Sequence, residues 1–162
     1  MIGIDPISSL ASGINAIKAI RLGKIEEKAI LEEVIEELKY NLKTIKDDYL
    51  EKGCSTDLII PALKITCLEK AESARKRGKL DFNKIKSGII DKDCYVSNQQ
   101  RKYYPDFDTE KALLKLREKV KEFKKSKQLY FKRNKWSDKI NPKSRMNTIV
   151  DLFILISNHL NK

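Results

Sequence analysis

Isoleucine and leucine recur along this chain at spacings of three and four, and almost nowhere at two. Ile7, Leu10, Ile14 and Ile17 open the series, and Leu31, Ile35, Leu38, Leu42, Ile45 and Tyr49 follow at steps of 4, 3, 4, 3 and 4. Leu113, Leu116, Val120, Phe123 and Tyr130 keep the same spacing, and Met146, Ile149, Phe153, Ile156 and Leu160 close it. A repeat near 3.5 residues lines up one face of a helix, whereas a half-buried strand alternates at every second position. The pattern predicts an all-α protein. We expect one domain over residues 1–162: an antiparallel helical bundle of about four long helices, a short N-terminal helix and an irregular segment near 79–108.

Start and stop signals bound these elements. Asp5-Pro6 offers a capping carboxylate followed by a first-turn proline, and Gly23 is the expected stop. The second helix should run from about Lys24 to Lys52 and end at Gly53. Its glutamates (Glu26, Glu27, Glu32, Glu33, Glu36, Glu37) precede Lys39, Lys43 and Lys46, an order that suits the helix dipole. A third helix is predicted from the Ser55-Thr56-Asp57 cap region to Gly78, with Pro61 tolerated only near its first turn. Then come a short helix around 82–90, irregular chain carrying Tyr95, Tyr103, Tyr104 and Phe107, and a long helix over about 109–134 whose seam Lys127 interrupts. Asn141-Pro142 opens the last helix. There Val150, Leu152, Ile154 and Leu155 carry the apolar surface nearly all the way round, so this helix belongs at the centre.

Composition narrows the class. Apolar residues make up 41% and charged residues 35% of 162, with only 6 Gly and 4 Pro, which suits a helical globule rather than a turn-rich sandwich. The longest apolar run is Leu152–Ile156, far short of the ~20 residues a bilayer span needs, and the N-terminus does not read as a signal peptide. We therefore expect a cytoplasmic protein. Cys54, Cys67 and Cys94 form no CxxC pair and are odd in number, which argues for reduced thiols rather than a disulfide framework or zinc site. Cys67 falls in an apolar series with Ile60, Leu63, Ala71 and Ala74.

The net charge of +11 is uneven. Residues 1–100 carry 17 Lys/Arg against 16 Asp/Glu, and residues 101–145 carry 16 against 6. A phosphate-facing surface is one reading, because lysines gain affinity by releasing counterions from nucleic acid and are drawn to anionic lipid headgroups. Its candidate contacts are Lys111, Lys115, Lys121, Lys124, Lys125, Lys132, Arg133 and Lys135, with Tyr130, Phe131 and Trp136 nearby to stack bases or meet a lipid interface. Against it, the basic residues occupy nearly every position outside the seam rather than one stripe. They are also mostly lysine, 27 against 7 arginines, while arginine is suited to forked phosphate and guanine contacts. A solvated helix face is the simpler reading.

No constellation of catalytic residues emerges. The one histidine, His159, has no oriented partner in the sequence. The Glu-rich second helix lacks the Glu-x-x-His pairs of di-iron bundles, and there is no glycine-rich phosphate loop or Gly-x-Ser-x-Gly elbow. We identify no catalytic, metal or cofactor residues, no cofactor and no small-molecule substrate. The amphipathic segment from Ile7 to Ile20, leading into a Glu/Lys-rich bundle, resembles in layout the helical cell-death and immune-signalling domains. That resemblance implies a first segment that perturbs membranes or recruits partners, although one so rich in Ile, Ala and Ser also packs readily on its own bundle. The expectation is a non-enzymatic helical bundle acting through a protein partner or self-association, in the manner of a signalling or defence module. Tyr95, Tyr103, Tyr104 and Phe107 are the expected partner contacts. A nucleic-acid module using 111–145 and an anionic-membrane-associating bundle are the alternatives.

Overall fold

The computed structural model describes residues 5–16, 25–133 and 141–162. Among them the chain is all-α, with seven α-helices and, outside the helices, a single isolated bridge between Ile89 and Asp108. The order is α1 (Pro6–Ala16), α2 (Ile25–Lys43), a π-helical continuation (Thr44–Glu51), α3 (Thr56–Ala62), α4 (Thr66–Lys76), 3-10 turns at Phe82–Lys84 and Lys92–Cys94, α5 (Asn98–Tyr103), α6 (Thr109–Arg133) and α7 (Pro142–Asn161).

The ends follow their capping chemistry. The Asp5 carboxylate accepts from the Ile7 amide at 3.2 Å and from the Ser8 hydroxyl, and Asn141 Oδ1 accepts from the Ser144 amide at 3.0 Å. At the end of α4, Gly78 has φ +69°, while its own amide reaches Arg75 O and the Lys79 amide reaches Ala74 O, both at 2.9 Å. This left-handed cap satisfies the last carbonyls, and only glycine adopts it without strain. The stop expected at Gly23 lies outside the described residues.

Helix α7 is the hub of the core. Met146, Ile149, Leu152, Phe153, Ile154, Leu155 and Ile156 are all buried, as a helix apolar on nearly every side requires. Leu31, Ile35, Leu38, Leu42 and Ile45 of α2 and its π continuation, and Leu113, Leu116, Val120 and Phe123 of α6, bury their seams in the same cluster. From α1, Leu10 is fully buried. No helix among the described residues is long and apolar enough to cross a membrane.

The third predicted helix is two helices. Pro61 lies inside α3 (Thr56–Ala62) and not near its first turn as expected; α3 ends at Ala62, and Leu63 is extended with ψ 135°. The polar face of α2 holds the joint together. Asn41 donates to Lys64 O at 2.6 Å and accepts from the Lys64 amide at 2.8 Å, while buried Glu37 accepts from the Cys67 and Leu68 amides at 2.8 and 3.0 Å. Glu37, named from sequence only for its place along the helix dipole, is thus the cap of α4. The predicted helix at 82–90 shrinks to the 3-10 turn Phe82–Lys84, because the Ile90 amide donates across the loop to Phe107 O at 2.7 Å instead of back along a helix. Lys127 interrupts the α6 seam without leaving the core: it is buried, and its Nζ lies 3.0 Å from Asp57 of α3.

Candidate functional site

The irregular stretch between α4 and α6 is tied down by polar groups of α7. The Thr109 hydroxyl donates to Lys86 O at 2.6 Å and lies 3.0 Å from His159 Nε2, so the ring donates and is the Nε2–H tautomer. Burial, aided by Lys86, pushes the His159 pKa below its ordinary value and keeps the ring neutral. Asn158 Nδ2 donates to Cys94 O at 3.1 Å, and Gln100 Nε2 donates to Asp151 O at 3.0 Å. These three attachments turn a segment without regular structure into a fixed surface.

On that surface α5 forms a short ridge. Ser97 Oγ accepts from the Gln100 amide at 3.1 Å, and Gln100 Oε1 accepts from the Val96 amide at 2.8 Å, a reciprocal cap that starts a helix too short to start itself. A cleft lies on each side. One, of about 620 Å³, is lined by Ile89, Asp91, Asp93, Arg101 and Asp106 among others, with Lys162 Nζ 3.3 Å from Asp91 and 3.4 Å from Asp93. The other, of about 300 Å³, lies between Gln99, Tyr103 and Tyr104 on the α5 side and Ser144, Asn147, Thr148 and Asp151 of α7. These four α7 residues succeed one another at helical spacing and make one wall.

The four aromatics expected to meet a partner divide sharply. Tyr95 is buried, its hydroxyl donating to Tyr104 O at 2.8 Å. Tyr104 and Phe107 are half-buried, with ring centroids 4.9 Å apart and planes at 36°. Burial raises the pKa of both the Tyr95 and the Tyr104 phenol. These three prop the ridge from beneath, which takes the buried Tyr95 out of any contact surface. Tyr103 is 69% exposed at the rim of the smaller cleft, and Ile89 is 63% exposed at the larger one.

The chain matches no protein-family model, no curated protein and no solved structure. Its own geometry is therefore what speaks for its function.

The basic helix is largely occupied with its neighbours. Arg117 Nε lies 2.7 Å from Glu72, and Lys121 3.2 Å from Glu69, so two α6 cations are engaged by α4. Lys115 pairs with Glu118 at 2.9 Å and Lys119 with Glu122 at 3.6 Å along α6 itself. Lys111 donates to Asp106 O at 3.3 Å. Lys124 is half-buried, and burial lowers its pKa. Of the eight residues predicted to contact an anion, Lys125 is exposed and has no partner among the described residues. Lys132, Arg133 and Lys135, like the rings of Tyr130, Phe131 and Trp136, fall outside the described side chains.

Sequence reasoning missed Ile89, Gln100 and Asp151. The Ser97-x-x-Gln100 box was a legible helix start, and Asp151 was the one charge between Met146 and Ile156, the stretch that carries most of the apolar surface of the last helix. Ile89 had no local signal, since its exposure follows from the pairing of its neighbour with Phe107.

Proposed function

We propose that this chain is an antiparallel helical-bundle protein, without catalytic activity of its own, that works by binding another protein at the α5 ridge. One observation carries the reading. Four large hydrophobic side chains are widely exposed among the described residues, Tyr40, Leu58, Ile89 and Tyr103, and two of them lie on the rims of the clefts flanking this one short helix. Exposed aromatic and aliphatic groups beside concave, rigidly supported surface are the usual anchors of a protein contact. The polar ties to α7 add preorganisation, which lowers the entropy lost on binding.

The test pairs an Ile89→Asp, Tyr103→Ser double variant with the wild type, in sedimentation velocity across a concentration series and in retention of host proteins. The reading expects a complex, with a second copy or another protein, that forms with the wild type and not with the variant, at unchanged unfolding midpoint. A wild type that stays monomeric and captures only the same host proteins as the double variant refutes it.

A nucleic-acid module is the second reading, favoured by the excess of ten positive charges over residues 101–145. It expects oligonucleotide affinity that falls steeply with salt and is lost on charge reversal at Lys124, Lys125 and Lys132. Salt-independent or absent binding ends it. Membrane action through the first helix has less support, because α1 packs along α7 and buries Leu10 in the core.

A further inference from the structure

Asp151 is a carboxylate without a counterpart. Every other buried or half-buried Asp or Glu among the described residues meets a cation or a donating N–H: Glu27 meets Lys84, Glu37 two backbone amides, Asp57 Lys127, Glu72 Arg117 and Glu110 Arg75, and the rest are likewise paired. Asp151 is half-buried, faces the smaller cleft and has no such partner among the described residues. Burial raises its pKa, and no cation among the described residues opposes the rise. A desolvated carboxylate is costly to keep, and a bound positive group would offset the cost.

We infer that the cleft between α5 and the first half of α7 is a binding site for an alkylammonium group, with Asp151 as its counter-ion. The other lining residues suit that head group. The Thr148 hydroxyl already donates to Ser144 O at 3.2 Å, so its lone pairs are what it offers a ligand, and the Asn147 amide carbonyl is a second separate acceptor. An ammonium has three donors to distribute among separate acceptors, whereas a guanidinium wants one flat, forked partner. The exposed Tyr103 ring at the rim supplies an apolar and cation-attracting wall for the methylene chain. Among the described residues Asp151 is the only charged one lining the cleft, so its formal charge favours a cation over an anion. The volume of about 300 Å³ is at the small end of ligand sites, right for an amine tail rather than a nucleotide. A free amine tests the site without any protein partner, so the cleft and the α5 contact face stand or fall separately.

The experiment is an amide-shift titration of the full chain, labelled with nitrogen-15, against n-butylammonium chloride and, separately, n-butanol. Two further arms, spermidine and a short uncharged-flank peptide with one lysine, distinguish a free polyamine from a protein side chain as the source. Saturable shifts at Gln99, Tyr103, Asn147 and Asp151 with butylammonium, absent with butanol, are expected. Asp151→Asn should weaken binding about tenfold, the worth of one charge-assisted hydrogen bond, and the tighter of the two further arms names the source. Shifts that do not saturate, that butanol reproduces, or that survive Asp151→Asn overturn the assignment. The butanol comparison needs no variant and decides the matter even if Asp151→Asn misfolds.

Discussion

Gly13 of α1 faces Ser157 of α7 so closely that a Cβ on Gly13 would lie 2.5 Å from Ser157 Cβ and 3.0 Å from its Cα. No rotation of the serine relieves a contact with its own Cβ and backbone. The pair sets the distance between the N-terminal helix and the hub of the core.

Gly13→Ala is therefore expected to destabilise despite the better helix propensity of alanine, by about 1–3 kcal/mol of overpacking. For a chain of this size, that is roughly 2–4 °C of melting temperature per kcal/mol. Adding Ser157→Gly removes the opposing Cβ and should recover part of the loss, although Ser157→Gly alone costs up to about 1 kcal/mol in a helix interior. Thermal unfolding of the four proteins of this cycle checks it. Additive losses would mean the helices are not in contact here.

Glu37 tests the joint between α3 and α4. Glu37→Ala strands the Cys67 and Leu68 amides and should cost about 1–3 kcal/mol, while Glu37→Gln keeps one acceptor and should fall between alanine and wild type. Urea unfolding followed by far-ultraviolet circular dichroism gives the order. Equal midpoints for all three proteins would mean that the two amides find water instead.

Much of this architecture was legible in the residues, and the failures share a cause. Long seams such as Leu113 to Phe123 announce themselves because each repeats one local requirement many times. Asp5, Asn141 and Gly78 act within a few residues of themselves, so their roles also show in sequence. Glu37 and Asn41 look like any solvated residues of a helix until a chain segment some 23 to 31 positions away brings its open amides to them. The same holds for the clefts beside α5. Their shape depends on where Ile90 pairs with Phe107 and on how α7 holds Cys94 and Gln100, which are relationships between distant residues. The ion pair of Lys121 with Glu69 is of the same kind, since α4 brings the carboxylate from far along the chain.

His159 makes stability depend on pH in a stated direction. Its folded pKa is lowered below 6.5 by burial and by Lys86, with Asp91 and Asp108 opposing, so the unfolded chain binds its proton first as the pH drops. The stabilisation is complete above about pH 6.5 and is lost as the pH falls from there towards the folded pKa, with a slope of at most about 1.4 kcal/mol per pH unit for one proton. His159→Gln can still donate to Thr109 but does not titrate, and should flatten this slope. Urea midpoints between pH 5 and 8 for both proteins are the check. A wild-type midpoint that rises on acidification contradicts the neutral buried ring.

On the proposed reading, the α5 ridge is the face that meets a protein. A photo-reactive benzoylphenylalanine placed at position 103, at 89 or, as a control on α3, at the equally exposed position 58 tests it most directly in the native host. One discrete cross-linked product shared by positions 103 and 89 and missing from 58 is expected. Products of equal yield at all three positions, or none at 103 and 89, would contradict it.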